Sequence, residues 1–158
     1  MPRAVIGLGA NLGAPAEQLR AAIVAIGRMT ETQVLAVSSF YRTAPVGYLA
    51  QPEFVNAAVA VETTLAPRAL LAALQAIETA AGRERRFKDA PRMLDLDVLL
   101  YDDRIADEPG LTIPHPRLHE RAFALAPLVE IEPEATVPGH GRAADLLARC
   151  AEQKIEKA

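Results

Sequence analysis

The order of apolar patterns along the chain restricts its fold more than any other feature of the sequence. Short runs rich in β-branched and apolar residues alternate with segments whose apolar residues recur at helical spacing. In chain order they are a strand at 3–8, a helix at 15–29, strands at 33–41 and 54–62, a helix from Pro67 to Gly82, and a strand that ends at Tyr101. This order predicts an α+β fold with a ferredoxin-like βαββαβ core, in which helices pack on a largely antiparallel sheet.

The region beyond Tyr101 is expected to add C-terminal helices to this core. In order, the expected features are short strands or extended loop at 104–106 and 110–113, loop and short helix around the prolines at 114, 116 and 127, and an amphipathic helix at 143–152. The charged tail after the last helix is expected to fray. With its 158 residues, the whole chain is expected to form one domain.

Composition and charge limit the classes of function. The chain carries a formal net charge of −3, which gives no general attraction to nucleic acid. No apolar run approaches the ~20 residues of a membrane-spanning helix, and the N-terminus lacks a signal-peptide pattern. Cys150 is the only cysteine, so it forms no internal disulfide, in agreement with a reducing compartment. We therefore expect a cytoplasmic protein that binds neither nucleic acid nor membranes, and we expect a monomer.

Two carboxylates stand two residues apart in the last predicted strand, at Asp95 and Asp97. Side chains at positions i and i+2 of a strand point to the same face, so the pair could hold hard cations. Basic residues precede the pair at Arg83, Arg85, Arg86, Lys88 and Arg92. Magnesium is usually held by one or two carboxylates together with substrate phosphates, so this combination predicts a polyphosphate across the two segments. The alternative interpretation is a solvated strand face beside a solvated charged loop.

Several other polar residues allow more than one interpretation. Asn56 lies in the third predicted strand, either as a ligand contact or as a satisfied backbone partner. Gln75 and Glu78 lie three residues apart on the second helix, either as a solvated pair or as ligand contacts. His115 is held between two prolines, which suits the presentation of a side chain, although an isolated histidine can also be structural. The glycine-rich turn at 9–13 is interpreted as a structural turn, because glycines often form sharp turns, with a ligand contact as the alternative. Its glycines lack the spacing of a dinucleotide fingerprint.

Four segments of the chain are informative together. In order they are Gly9 to Gly13; Tyr41 to Thr43 with Gln51 to Ala58; Gly82 to Arg85 with Pro91 to Asp97; and Leu111 to Pro116 with Arg121 to Phe123. Each segment alone is weak, but in this order and spacing they resemble the 6-hydroxymethyl-7,8-dihydropterin pyrophosphokinase family of folate biosynthesis. The likeness extends from near the N-terminus to about Pro133.

This resemblance implies a reaction in which the pyrophosphoryl group of ATP passes to the hydroxymethyl oxygen of 6-hydroxymethyl-7,8-dihydropterin, leaving AMP. It implies that Asp95 and Asp97 bind two magnesium ions (Mg2+). Arg83 and Arg92 match the catalytic arginines of the family and would also contact ATP. The other residues that match its ATP site are Gln75, Glu78, Arg85, Val98, Thr112, His115 and Arg121. Guanidinium groups suit such a site because each can form two hydrogen bonds to phosphate oxygens.

The resemblance also implies a pterin site. Its residues would be Thr43, Ala44, Val46, Phe54, Asn56, Asp95 and Phe123. Two aromatic rings can sandwich a flat heterocycle, and an Asn amide offers a donor and an acceptor to its polar edge. Only 4% of the residues are aromatic, so two aromatic residues at matching positions are informative. No residue is predicted to act as a general base.

Two other functions stay open at the level of the sequence. One is a different magnesium-dependent phosphoryl or nucleotidyl transferase on the same fold, which the identity of the product would distinguish. The other is a ferredoxin-like ligand-binding module without catalysis, because a fold alone implies no activity.

Overall fold

The computed structural model describes residues 1–11, 13–43, 54–81 and 94–158, and all structural statements refer to these residues. The strands are β1 (Arg3–Ala10), β2 (Thr32–Val37), β3 (Tyr41–Thr43), β4 (Phe54–Thr63), β5 (Asp95–Tyr101), β6 (Ala106–Glu108), β7 (Leu111–Ile113), β8 (Thr136–Val137), β9 (Gly141–Arg142) and β10 (Ile155–Lys157). The α-helices are α1 (Pro15–Gly27), α2 (Pro67–Ala80), α3 (Ala122–Ile131) and α4 (Ala143–Ala148), and a short 3₁₀ helix spans Leu118–Glu120.

The main sheet follows the order β10–β3–β4–β1–β5. Strand β2 also belongs to this sheet and, like β3, pairs with β4. All of these pairs are antiparallel. In the described ranges, β6–β7 and β8–β9 form separate two-stranded sheets. The predicted α+β class and the antiparallel βαββαβ core are confirmed.

Helices cover both faces of the main sheet. Buried side chains of α1 and α2, such as Leu19 and Leu70, pack with Ile6 of β1. On the opposite face, Leu125 of α3 is buried with Ala58 of β4. Full burial of a leucine side chain contributes about 1.5–3 kcal/mol, so both helical layers stabilise the sheet. None of the helices in the described ranges has the length and apolar character needed to cross a membrane.

The single strand predicted at 33–41 is in fact two strands, β2 and β3, separated at residues 38–40. The Ser38 hydroxyl accepts the backbone N–H of Ala58 at 2.9 Å. The carboxylate of Glu130 in α3 accepts the backbone N–H of Ser39 at 2.9 Å. One strand-to-strand hydrogen bond remains at the break, from the Ser38 N–H to the Ala58 carbonyl at 2.9 Å. The Ala58 and Ser39 N–H groups bind side-chain oxygens in place of further strand-to-strand bonds, and competition by a side chain is typical of serine. The prediction of one continuous strand was wrong for this reason.

The C-terminal residues do not fray as predicted. Helix α4 ends at Ala148, and Ile155–Lys157 forms β10, which pairs with β3 at the edge of the main sheet. The Ala158 N–H then donates to the Phe40 carbonyl at 2.8 Å. The charged side chains of this segment agree with an edge position, because one side of an edge strand meets solvent.

The region around the prolines at 114, 116 and 127 contains loop and short helix, as predicted, and one of these prolines lies inside a helix. Helix α3 continues through Pro127, although proline lacks the N–H that an interior helical position normally donates. Leu125 and Leu128 on either side of it are fully buried. Burial of these two side chains outweighs the loss of one hydrogen bond.

Candidate active site

Asp95 and Asp97 begin strand β5 and lie on the same face of the sheet. Both are partly exposed, whereas Leu96 between them is buried on the other face. In the register with β1, Asp95 is opposite Gly9 and Asp97 is opposite Gly7. The alternation of the strand therefore places the two carboxylates next to each other, beside a strip of β1 that carries no side chains.

Gly7 and Gly9 form this glycine strip, which side chains of neighbouring strands cover. A Cβ on Gly9 would lie 2.9 Å from Asn56 Oδ1, and a Cβ on Gly7 would lie 3.1 Å from the side chain of Leu99. Gly9 was assigned to a structural turn at 9–13, but it lies inside β1. The available signal was the spacing of two glycines two residues apart within a strand, which puts both on one face.

The side chain of Asn56 lies over Gly9 from the neighbouring strand β4. Asn56 is opposite Gly9 in the register, and its Nδ2 donates to Thr43 Oγ1 of β3 at 3.0 Å. Both side chains are buried, so this hydrogen bond fixes the orientation of the amide. Phe54 is opposite Thr43 in the pairing of β3 with β4. The structure thus brings together Thr43, Phe54 and Asn56 on the face of the sheet that carries Asp95.

A pocket of about 230 Å³ lies beside the carboxylates, along β5. It is lined by Leu71, Asp97, Val98, Gly110, Leu111, Thr112, His115 and Pro116. Three residues predicted for the nucleotide site, Val98, Thr112 and His115, therefore meet the predicted metal ligand Asp97 in one place. Apolar walls with a few convergent polar groups are typical of small-molecule sites.

The His115 ring is positioned by backbone hydrogen bonds. The His115 N–H donates to the Leu99 carbonyl of β5 at 3.1 Å, and the Arg117 N–H donates to Nδ1 of the ring at 3.4 Å. Burial is the main cause that lowers the pKa of His115, and the Arg121 cation lowers it further, whereas Asp95 acts in the opposite direction. A neutral ring whose Nδ1 accepts a hydrogen bond carries its proton on Nε2. His115 can therefore offer an N–H donor to an anion.

Arg121 stands immediately before α3 and interacts electrostatically with both carboxylates. Burial lowers the pKa of its guanidinium and Arg117 lowers it further, while Asp97 and Asp95 oppose these effects. The Cζ atom of Arg121 lies 5.4 Å from the centroid of the Phe123 ring, which is within cation–π range. Two predicted site residues thus contact each other at the start of α3, with the cation in electrostatic range of the acid pair.

Glu78 holds the backbone of β5 from helix α2. Its Oε2 accepts the N–H of Leu96, the residue between the two aspartates, at 2.7 Å. Only 4% of Glu78 is exposed, and a buried carboxylate needs such donors. Gln75, one turn earlier on the same helix, is exposed. The environments of the two residues therefore differ, although the sequence alone left them as a pair.

The carboxylate of Glu130 connects the C-terminal end of α3 to the sheet. Glu130 accepts hydrogen bonds from the Tyr41 hydroxyl at 2.6 Å and from the Ser39 hydroxyl at 2.9 Å. Its partial burial would raise the pKa of Glu130, but these hydrogen bonds bring it below its usual range. Burial, together with the bond to Glu130, raises the pKa of Tyr41 well above its ordinary value. Sequence reasoning missed this contact, because no local pattern links positions so far apart.

The remaining predicted site residues lie outside the described residues. They are Ala44, Val46, Arg83, Arg85 and Arg92, together with the other basic residues of the predicted loop. Their roles stay predictions.

Comparison with known proteins connects this geometry to a family. Residues 5–133 match the family model described as 7,8-dihydro-6-hydroxymethylpterin-pyrophosphokinase (HPPK). The chain is 44% identical over 155 residues to 2-amino-4-hydroxy-6-hydroxymethyldihydropteridine pyrophosphokinase of Pseudomonas aeruginosa, with 98% of this chain and 96% of the relative covered. It is 42% identical over 157 residues to the protein of the same name from Haemophilus influenzae, with 99% and 98% covered.

Solved structures support the fold. The chain is similar to wild-type HPPK-DHPS of Plasmodium falciparum with pterin and p-hydroxybenzoate, at a TM-score of 0.74 and 15% identity. The likeness covers 99% of this chain and 45% of that chain. The present chain thus spans less than half the length of that protein, and at this identity the likeness concerns the fold alone.

Proposed function

The chain belongs to the 7,8-dihydro-6-hydroxymethylpterin-pyrophosphokinase family, which transfers pyrophosphate from ATP to hydroxymethyldihydropterin in folate biosynthesis, and we propose where on its surface this transfer takes place. In the proposed arrangement, Asp95 and Asp97 are the centre of the site. The nucleotide lies on the side of the pocket beside β5, and the pterin lies on the side of Asn56. One observation carries this proposal: the buried Asn56 amide and the Asp95 carboxylate flank the same glycine, Gly9, on opposite sides.

Transfer from ATP implies a divalent metal ion, and we propose two Mg2+ ions held by Asp95 and Asp97. Carboxylate oxygens are ligands that this hard cation prefers. In the part of the chain that the structure describes, no group of three or more His, Cys, Asp or Glu side chains is arranged to hold a metal. Two carboxylates therefore fit a metal that keeps water and phosphate oxygens as its other ligands. When bound, the metal ions would neutralise phosphate charge and orient the reacting groups.

The nucleotide half of the proposal assigns the pocket beside β5 to ATP. Val98 and Thr112, which line the pocket, would contact the base. His115 would donate from Nε2 to a phosphate oxygen, and Arg121 would supply a positive charge. Preorganised donors and cations of this kind stabilise the charge that develops during phosphoryl transfer. Glu78 would support them by holding the backbone between the two aspartates.

The pterin half of the proposal assigns the other side of the acid pair to the second substrate. The Asn56 amide, already oriented by Thr43, would offer hydrogen bonds to the polar edge of the heterocycle. Phe54 and Phe123 would contact its faces, since flat aromatic rings stack well. Because Asp95 lies across Gly9 from Asn56, a pterin bound to Asn56 would direct its hydroxymethyl end toward the acid pair.

Family membership also supports assignments for residues outside the described ranges. We propose phosphate contacts for Arg83, Arg85 and Arg92, pterin contacts for Ala44 and Val46, and a further ATP contact for Gln75. We further propose that residues 1–158 form one domain and that the enzyme is a cytoplasmic monomer. The addition of β10 to the main sheet supports the proposal of one domain.

The test is an activity assay with a matched pair of substitutions. The protein, incubated with Mg-ATP and 6-hydroxymethyl-7,8-dihydropterin, should yield AMP and pterin pyrophosphate. Asp97→Asn should lower turnover by at least ~100-fold, because it removes charge stabilisation at the transition state. Asp103→Asn makes the same chemical change in the exposed turn after β5 and should leave turnover unchanged. Equal turnover in the two variants would exclude the proposed role of Asp97, and ADP in place of AMP would exclude pyrophosphoryl transfer.

A further inference from the structure

Gln153 lies in the C-terminal segment, beyond the residues 5–133 that match the family model. Its side chain bridges the backbone on both sides of Arg121. Gln153 Oε1 accepts the Ala122 N–H at 2.9 Å, and Gln153 Nε2 donates to the Glu120 carbonyl at 2.7 Å. One amide therefore holds the two residues that flank the proposed nucleotide arginine.

This bridge supplements the N-terminus of helix α3, where no side chain of the helix forms a cap. Arg121 is the N-cap residue and makes no side-chain capping hydrogen bond. The first N–H groups of a helix need partners from outside the helix, and Gln153 provides one for Ala122. A Ser or Asp at position 121 could cap the helix but would bring no cation. Position 121 instead carries an arginine, whose Cζ lies 5.4 Å from the Phe123 ring centroid, and Gln153 holds the backbone on both sides of it.

The segment that carries Gln153 also supports the opposite side of the candidate site. Two residues later it enters β10, in which Ile155 is opposite Thr43 of β3. Thr43 is the residue that accepts the hydrogen bond of Asn56. The same C-terminal segment therefore contacts the backbone beside the proposed nucleotide arginine and beside the proposed pterin amide.

We propose that Gln153 is a positioning residue for the reaction. By holding residues 120 and 122, it fixes the point from which Arg121 reaches the phosphates of the nucleotide. This inference rests on the nucleotide role proposed above for Arg121, because Gln153 acts only through that residue. Without the bridge, Ala122 at the start of α3 and Glu120 in the preceding 3₁₀ helix each lose one hydrogen bond. The backbone around Arg121 then gains conformational freedom, and the loss of this freedom on nucleotide binding lowers the affinity.

A double-mutant cycle tests the inference. Affinity for a non-hydrolysable ATP analogue with magnesium is measured by calorimetry for wild type, Gln153→Ala, Arg121→Ala and the double variant, each confirmed as folded by circular dichroism. Gln153→Ala should weaken binding about tenfold when Arg121 is present and should have no effect when Arg121 is absent. The melting temperature should fall in both backgrounds, since the two backbone hydrogen bonds of Gln153 are lost in both. Lys154→Ala, an exposed neighbour, is the control and should bind as wild type does.

The possible outcomes separate the inference from the proposal on which it rests. If Arg121→Ala binds the analogue as tightly as wild type, the nucleotide role of Arg121 fails and the inference fails with it. If Arg121→Ala binds weakly but Gln153→Ala does not, or if the two effects add, the inference alone is overturned. Should Gln153→Ala not fold, Gln153→Met enters the same cycle, because it keeps the length of the side chain and removes both polar groups.

Discussion

Replacement of Gly9 by alanine tests whether the glycine strip of β1 belongs to the site. The added Cβ would lie 2.9 Å from Asn56 Oδ1, whereas ordinary contact begins at 3.4 Å. The Asn56 amide cannot withdraw freely, because it is buried and its Nδ2 is bonded to Thr43 Oγ1 at 3.0 Å. The new methyl group must therefore break this hydrogen bond or push β1 and β4 apart.

The size of the effect follows from these two alternatives. A lost neutral hydrogen bond costs about 0.5–1.5 kcal/mol, and overpacking a close-packed site costs about 1–3 kcal/mol. Because either response relieves the clash, we expect the free energy of unfolding of Gly9→Ala to fall by about 1–3 kcal/mol. Pterin affinity should fall about tenfold or more, since 1.4 kcal/mol corresponds to a factor of ten. Affinity for an ATP analogue should change little, because Asn56 lies on the other side of the acid pair.

Gly7→Ala provides the matched comparison on the same strand and face. Its new Cβ would lie 3.1 Å from the side chain of Leu99, so it leaves the hydrogen bond between Asn56 and Thr43 intact. Urea denaturation gives the stability of both variants, and calorimetric titration with the pterin, in the presence of the ATP analogue and magnesium, gives the affinities. Wild-type pterin affinity in Gly9→Ala, or equal losses of affinity in the two variants, would refute the reasoning.

Three further predictions concern single side chains. Glu78→Ala leaves the Leu96 N–H without its carboxylate acceptor, so the free energy of unfolding measured in urea should fall by about 1.5–3 kcal/mol. Glu78→Gln keeps an acceptor oxygen and should lower it less. Equal losses in the two variants would contradict the assignment. Burial and then the Arg121 cation lower the pKa of His115, so Arg121→Ala should raise it in an NMR titration, and a fall would contradict the geometry. Because the folded protein favours the neutral His115 ring, this ring contributes to the free energy of unfolding in full above its ordinary pKa of 6.5, and the contribution is lost as the pH falls toward the lowered pKa. His115→Gln should therefore flatten the dependence of the free energy of unfolding on pH. Asn56→Ala should weaken pterin binding about tenfold while sparing the ATP analogue, and equal weakening of both would count against the pterin assignment.

Local periodicity was sufficient to predict the βαββαβ core and the shared face of the acid pair. The two-residue repeat of a strand places Asp95 and Asp97 together without knowledge of any neighbour. Apolar spacing likewise identified α2, and with it the turn that carries Glu78. The two flanking prolines and the resemblance to a family predicted that His115 presents its side chain to a ligand, and His115 lines the pocket beside β5.

Contacts between distant positions were not predictable in the same way. The function of Gly9 depends on the side chain opposite it in β4, and the two residues are far apart in the sequence. Strand β10 has three residues, too few for a periodic signal, and it forms because β3 presents an unpaired edge. Gln153 and Glu130 resemble ordinary surface residues in the sequence, since their hydrogen-bond partners are groups that only the folded chain brings near.

Helix α3 is attached at both of its ends. Gln153 binds the backbone where the helix begins, and Glu130 binds Ser39 and Tyr41 where it finishes. Because both ends of the helix are held, we expect α3 to move with the sheet, so that Arg121 and Phe123 keep their place through the proposed reaction cycle. In that case α3 would serve as a fixed wall of the proposed site.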